Sequence, residues 1–325
     1  MGSYSYSPPS KSPQQKCKES LENFLRNKKR NDLLTAYSHS MGGENGFISN
    51  LLSVLNTREL GKEVSDCEIE YKANLTLTPP SKLFSKSREI TKKDIQEVHK
   101  AIQFDNNKIP YLKDTNEPQI STGQNHFYSA NNAECFVLTH KNNQWNTKIK
   151  KFTNKYGFGI KGEEFVMRRK EAMSAINLPE LINMVLNENK TKEIAYEGFM
   201  EKTKADQFLL NMDSGRVYNF TISLCKAKDR PDLVQLEIEY AGYVPATAFT
   251  KQTNSEKEIV QEILGIQDCI IQTYNNHKLK DYVLSFTPTT LTKFEWISGK
   301  TLSSEDKGKE KPLLEEQTFF GDTFK

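Results

Sequence analysis

The chain has 325 residues, 36% hydrophobic and 10% aromatic, enough for one sizeable core in one main domain with tails. Lys and Arg number 45 against 42 Asp and Glu, so the net charge of +3 gives no global attraction to nucleic acid or to an anionic membrane, and any basic feature must be local. No apolar run reaches the length of a membrane span and the first residues are polar, which excludes a spanning helix and a secretory signal and points to an intracellular protein, cytoplasmic or nuclear.

Taken in order, residues 1–16 are rich in Ser, Pro and Lys and read as a disordered tail that cannot bury enough apolar surface to offset its ordering entropy. Helical spacing of Leu21, Phe24, Leu25, Leu33 and Leu34 predicts a helix over 19–37. A second is predicted over 47–55, after the Gly42-Gly43 break, so that 17–65 forms a helical extension. Period-2 alternation then predicts strands over 67–75, 126–128, 135–140, 145–152, 164–171, 194–204, 216–226, 233–240 and 282–286. Between them the pattern predicts helices over 92–103, 179–187 and 256–272, the last opened by a Ser255 and Glu258 capping box. Residues 298–325 read as a flexible tail that is polar until Phe319, Phe320 and Phe324.

The five cysteines, Cys17, Cys67, Cys135, Cys225 and Cys269, are scattered and lack any CxxC spacing, which argues against a disulfide framework or a zinc site. The histidines are equally dispersed, and the Gly pairs lack the Lys-Ser/Thr of a P-loop or a GxGxxG spacing. Carboxylates and lysines are left to carry any chemistry. In a strand, residues i and i+2 share a face, so Glu68, Glu70 and Lys72 lie together, as do Glu237 and Glu239. The same spacing joins Lys148 with Lys150, Arg168 with Lys170, and Lys202 with Lys204. A lone Glu-x-Glu or Lys-x-Lys is ordinarily a solvated sheet face. Here the acidic strands stand at the two ends of the region with basic strands between them, an order that solvated faces have no reason to adopt. Converging carboxylates would need a divalent cation, and Mg²⁺ or Mn²⁺ suits oxygen ligands of this kind.

Glu68-Ile69-Glu70-Tyr71-Lys72, the pair of runs Val217 to Leu224 and Val234 to Glu239, and the aromatic Phe127-Tyr128 ahead of Lys148 and Lys150 resemble the CYTH, or triphosphate tunnel metalloenzyme, superfamily. The resemblance covers about residues 66–286, within a tunnel domain expected over 66–297, and implies an α+β fold, an eight-stranded antiparallel β tunnel with flanking helices. It implies that Glu68, Glu70, Glu237 and Glu239 are catalytic and hold Mg²⁺ or Mn²⁺. It further implies that Lys72, Lys148, Lys150, Arg168, Lys170, Lys202 and Lys204 bind phosphates. The expected activity is metal-dependent hydrolysis of the terminal phosphate of a triphosphate, borne by a small molecule (nucleotide, inorganic or thiamine triphosphate) or by an RNA 5′ end. The superfamily also includes nucleotidyl cyclases. Where its members often carry further acidic residues this chain has Cys225 and Gln235. Those two positions and the tails motivate a second reading, a catalytically weakened phosphate-binding or adaptor module with a protein partner on the C-terminal tail.

Overall fold

Alternation along 68–78 decides the shape of this molecule. The odd positions Ile69, Tyr71, Ala73, Leu75 and Leu77 are buried in an apolar core, whereas the even positions begin Glu68, Glu70, Lys72 and Asn74. Such a strand needs an apolar partner layer on one side and a polar enclosure on the other. The computed structural model describes residues 11–41, 43, 45–62, 68–78, 89–105, 108–130, 134–141, 144–157, 165–174, 195–249, 256–279 and 282–299. The helix expected over 179–187, Cys67 and the ends 1–10 and 300–325 lie outside the described residues.

The sheet comprises β1 (Glu68–Thr78), β2 (Tyr111–Lys113), β3 (Gln119–Ala130), β4 (Glu134–Lys141), β5 (Gln144–Gly157), β6 (Phe165–Ser174), β7 (Ala195–Asn211), β8 (Arg216–Ala227), β9 (Arg230–Tyr243), β10 (Lys278–Leu279) and β11 (Tyr282–Pro288). Neighbours run β1, β6, β5, β4, β3, β7, β8, β9, and β9 pairs again with β1, so eight strands close a circuit in which every pairing is antiparallel. This is the eight-stranded tunnel that the sequence resemblance implies. Closure removes the open edges that a free sheet would expose. β11 extends the sheet from the far half of β1, and β2 pairs with the end of β7.

Two helices cover the apolar outer face. α4 (Lys92–Ala101) starts on a capping box in which the Thr91 hydroxyl and the Asp94 side chain each accept the other's backbone N–H. It buries Ile95 and Val98 in the same core as Phe220, Ile222 and Leu224 of β8. α5 (Glu256–Tyr274), which begins where the sequence predicts, adds Ile259, Ile263, Ile266 and Ile270. No helix among the described residues is long and apolar enough to cross a membrane.

The N-terminal extension differs from expectation in its divisions. Its helices are three, α1 (Pro13–Asn27), α2 (Arg30–Ser40) and α3 (Phe47–Val54), in place of two. α1 starts inside the stretch read as disordered, because Ser12 and Gln15 form a capping box and Pro13 fits the first turn. Lys28 ends it in the left-handed conformation at φ 56°, its N–H bonded to Phe24 O at 2.7 Å, and this splits the helix expected over 19–37. The three helices bury Leu21, Phe24, Leu33, Phe47 and Leu51 against Leu210, Val217 and Phe249, just beyond one end of the tunnel. At the other end α6 (Lys293–Ser298) sets Phe294, Trp296 and Ile297 against Phe127, Met200, Cys225 and Leu233. Gly198 sits there at φ +145°, and a Cβ on it would come within 2.9 Å of Ile297.

Candidate active site in the barrel interior

Ladder partners share a face of the sheet, so the register fixes which residues line the tunnel. Glu70 lies opposite Glu239 and Lys72 opposite Glu237, while Glu237 faces Thr221 and Gln235 faces Ser223 on the next strand. Ser223 in turn lies opposite Lys204, and Cys225 opposite Lys202. The interior face therefore carries Glu68, Glu70, Lys72, Glu237, Glu239, Lys202 and Lys204 together.

Within it the charges are interleaved. Lys72 Nζ donates to Glu70 Oε1 at 2.6 Å, both side chains being almost fully buried. Glu237 receives Ser223 Oγ at 2.5 Å, Lys293 Nζ at 2.7 Å and the Lys202 ammonium at 3.5 Å. Burial opposes ionisation of Glu237, but Lys202, Lys293 and Lys72 outweigh it and hold the carboxyl well below the usual carboxylate range. Lys202 shows the reciprocal effect. Burial lowers its pKa, yet Glu237, with smaller contributions from Cys225 and Glu70, lifts it above the ordinary lysine value. Lys204 pairs with Asp206 at 3.3 Å, and burial pushes the Cys225 thiol up, against the opposing pull of Lys293 and Lys202.

By register the four expected carboxylates, Glu68, Glu70, Glu237 and Glu239, share the interior face. Among the described residues no group of three or more His, Cys, Asp or Glu is gathered so as to hold a metal ion. Lysines enter the space between the acids: Glu70 is joined by Lys72, and Glu237 by Lys202 and Lys293. Glu70 and Glu239 remain at directly opposed ladder positions. Two carboxylates are a donor set that Mg²⁺ accepts when phosphate oxygens and water complete its shell.

The basic strands divide by register. Lys148 lies opposite Val137, which is opposite Phe127 of the interior face, and Lys150 lies opposite Cys135 two steps along. The same alternation pairs Phe152 with Arg169, which lies across from Glu68, while Arg168 lies across from Ile69, a residue of the outer core. Lys170 is opposite Lys151 and so alternates with Arg169. By register Arg168 and Lys170 thus alternate with Arg169, the residue paired with Glu68. Two further residues were not found from the sequence. Ser223 had no distinguishing pattern. Lys293 follows Thr292, whose capping box with Glu295 is visible as Thr-x-x-Glu before Phe294 and Trp296, but nothing local signals that its ammonium reaches Glu237. Gln235 had been singled out as a departure from an acid. Its Nε2 donates to Asn74 Oδ1 and to the Leu291 carbonyl, both at 3.2 Å, and its Oε1 accepts from Lys293.

No protein-family model matches the chain, and no curated protein does. Among solved structures the chain is similar to the PH1012 protein from Pyrococcus horikoshii OT3, with a TM-score of 0.36 and 12% identity over 71% of this chain and 99% of that one. It is similar to the Mimivirus capping enzyme triphosphatase, with a TM-score of 0.33 and 8% identity over 81% of this chain and all of that one. It is also similar to the S. pombe Pct1 RNA triphosphatase, at 0.29 and 10% over 81% and 86%. The likeness is one of fold alone. At the level of residues, the tunnel of this chain stands on its own interior, in which three lysines and a serine hydroxyl surround one ionised carboxylate.

Proposed function

We propose that the barrel interior binds a triphosphate and hydrolyses its terminal phosphate. The observation that carries this reading is the Glu237 cluster: Lys72, Lys202 and Lys293 converge on one carboxylate in a sheltered interior. Such a cation set neutralises a polyphosphate chain and the charge that develops on it as the terminal bond breaks. Lys72, Lys202 and Lys204 bind phosphate oxygens, with Lys148, Lys150 and Arg169 joining them by register. Glu237, kept ionised at neutral pH, accepts a hydrogen bond from the attacking water and orients it, while Ser223 fixes the carboxylate's rotamer. Glu70 and Glu239 would hold Mg²⁺ or Mn²⁺, which when bound polarises the phosphoryl oxygens.

The test is phosphate release by the purified chain with Mg²⁺ or Mn²⁺ from an RNA 5′-triphosphate, a nucleotide, inorganic triphosphate and thiamine triphosphate. Release from at least one of them, lost by a hundredfold or more in Glu237→Gln and in Lys202→Met, is expected at the order of magnitude of a removed orienting group or electrostatic donor. Folded protein that releases phosphate from none of the four overturns the hydrolase. A second reading, a tunnel that binds polyphosphate without turning it over and acts as an adaptor through its C-terminal tail, is favoured by one observation. Gln235 is committed to structural hydrogen bonds where a further acid would serve catalysis. Tight polyphosphate binding without release distinguishes it.

A further inference from the structure

The interior face of β7 changes character along its length. Met200 is buried against α6, Lys202, Lys204 and Asp206 are half-buried, and Phe208 is exposed. β3 repeats the gradient on its own interior positions, from buried Phe127 and Asn125 through half-buried Gly123 and Ser121 to exposed Gln119. Along these two strands the interior is therefore packed shut at the α6 end and more exposed toward Phe208, one rung short of the positions that the N-terminal helices cover. Phe208 lies on the same rung as the opposed carboxylates: it lies across from Asn219, Asn219 across from Glu239, and Glu239 across from Glu70. With 39% of its surface exposed it is one of four exposed large apolar side chains among the described residues, although the next interior residue, Leu210, is fully buried against the N-terminal helices.

A phenylalanine left in water at the rim of a charged tunnel gives up burial that the adjacent helices could have provided. From Lys204 to Phe208 the strand advances roughly 13 Å at ~3.3 Å per residue. That is comparable to the extent of a nucleoside triphosphate from its terminal phosphate to its base. We infer that Phe208 is a stacking platform for the nucleobase of the substrate, so that the triphosphate taken by this tunnel is carried by a nucleoside or an RNA 5′ end and is not inorganic. The inference rests on the triphosphate reading of the interior. Stacking on a single aromatic ring accepts any base through its π-face, so Phe208 selects for a base without selecting among bases.

Equilibrium binding of ATP, GTP, a short 5′-triphosphorylated RNA, thiamine triphosphate and inorganic tripolyphosphate is measured by calorimetry for the full chain and for Phe208→Ala, Phe208→Leu and Phe208→Trp. The Ala and Leu variants are expected to weaken the nucleotides and the RNA by about tenfold or more, the low end of base–aromatic stacking, and to leave tripolyphosphate within about twofold. The Trp variant should retain nucleotide binding. Unchanged tripolyphosphate binding also reports that the variants fold, and the backbone bond from Asp114 N to Phe208 O does not involve the side chain that is replaced. If nucleotides bind no tighter than tripolyphosphate, fall in step with it, or are unaffected by Phe208→Ala, the inference fails while the phosphate site stands. Selective loss of thiamine triphosphate alone overturns the nucleobase assignment. Failure of the wild-type chain to bind any of the five overturns the triphosphate reading and this inference with it.

Discussion

Glu70 and Lys72 sit two residues apart on one strand, form a 2.6 Å ion pair and are 1% and 2% exposed. Their attraction offsets the desolvation of both charges only while both are present, so the pair is asymmetric under mutation. Lys72→Met is expected to lower stability by about 3–5 kcal/mol, because the buried carboxylate loses its nearest cation. Glu70→Gln with Lys72→Met should recover most of that loss. Urea unfolding of the two variants measures the difference, and an equal loss in both would mean that the pair does not govern the stability of this strand. The same scale explains Gln235. A glutamate there would bring a carboxylate oxygen against Asn74 Oδ1 and the Leu291 carbonyl, which now accept hydrogen bonds from the amide. The neutral side chain is thus the one that lets β1, β9 and the segment leading to α6 meet. Glu68, Glu70 and Lys72 were legible in the sequence because strand alternation alone sets their common face, as it does that of Glu237 and Glu239. Lys293 was not, because its place beside Glu237 depends on where a helix packs.

At the scale of elements, the ends of helices carry much of the information that hydrophobic spacing lacks. Spacing merged α1 and α2 because Leu21, Phe24, Leu33 and Leu34 keep a helical period across Lys28, and no Gly or Pro marks the break. α3 shows a different device. Its own N-cap is Gly46, which has no side chain to offer, and the first turn is capped from β2's end by Asp114, whose Oδ1 accepts from Ile48 N at 3.3 Å and whose carboxylate also takes Phe47 N–H. Burial raises the Asp114 pKa, and the backbone donors of Thr115, Ile48 and Phe47 hold it back. Gly46 is required because a Cβ there would lie 2.6 Å from Asp114 Oδ2. Asp114→Ala is expected to cost about 1–2 kcal/mol, as loss of a cap does. Gly46→Ala should also destabilise, through the clash. Since the three atoms nearest to a Cβ at 46 all belong to the Asp114 carboxylate, the double variant should lose less than the two single losses added together. Thermal unfolding of the three variants checks this, and strict additivity would separate the two residues.

For the whole molecule, the strands were legible one by one and the circuit was not: the closing ladder joins Glu70 to Glu239 and Asn74 to Gln235, contacts that no local pattern encodes. β2 and β10 are also too short to show a period. The same long-range packing makes stability depend on pH. His99 of α4 is fully buried, its Nε2 3.1 Å from Phe220 O and its ring 4.5 Å from that phenylalanine. Burial, aided by the Lys113 ammonium, lowers its pKa to about 3 from 6.5. Lys113 Nζ donates to His99 O at 2.5 Å and Ile102 O at 2.8 Å, closing the C-terminal end of α4, and burial lowers its pKa to about 7 from 10.5. In both cases the folded group binds its proton less readily than the unfolded one. The unfolded chain therefore holds the extra proton between pH 3 and 6.5 for His99, and between pH 7 and 10.5 for Lys113. Stability must rise with pH across each window. Glu237 adds to the acid side, since its depressed pKa gives stability that is present above the ordinary carboxylate value and lost as pH falls through the folded one. Asp114 opposes it, its raised pKa favouring the folded state as pH falls. Urea midpoints should therefore climb from pH 4 to pH 6.5 and again from pH 7 to pH 10, with a slope of up to about 1.4 kcal/mol per pH unit from each group. His99→Gln should flatten the first climb and leave the second. Lys113→Met should flatten the second, whatever it costs in absolute stability through the two carbonyls it leaves at the end of α4. A first climb that survives His99→Gln unchanged would assign acid sensitivity to the tunnel carboxylates instead, with Glu237→Gln as the variant that then removes it.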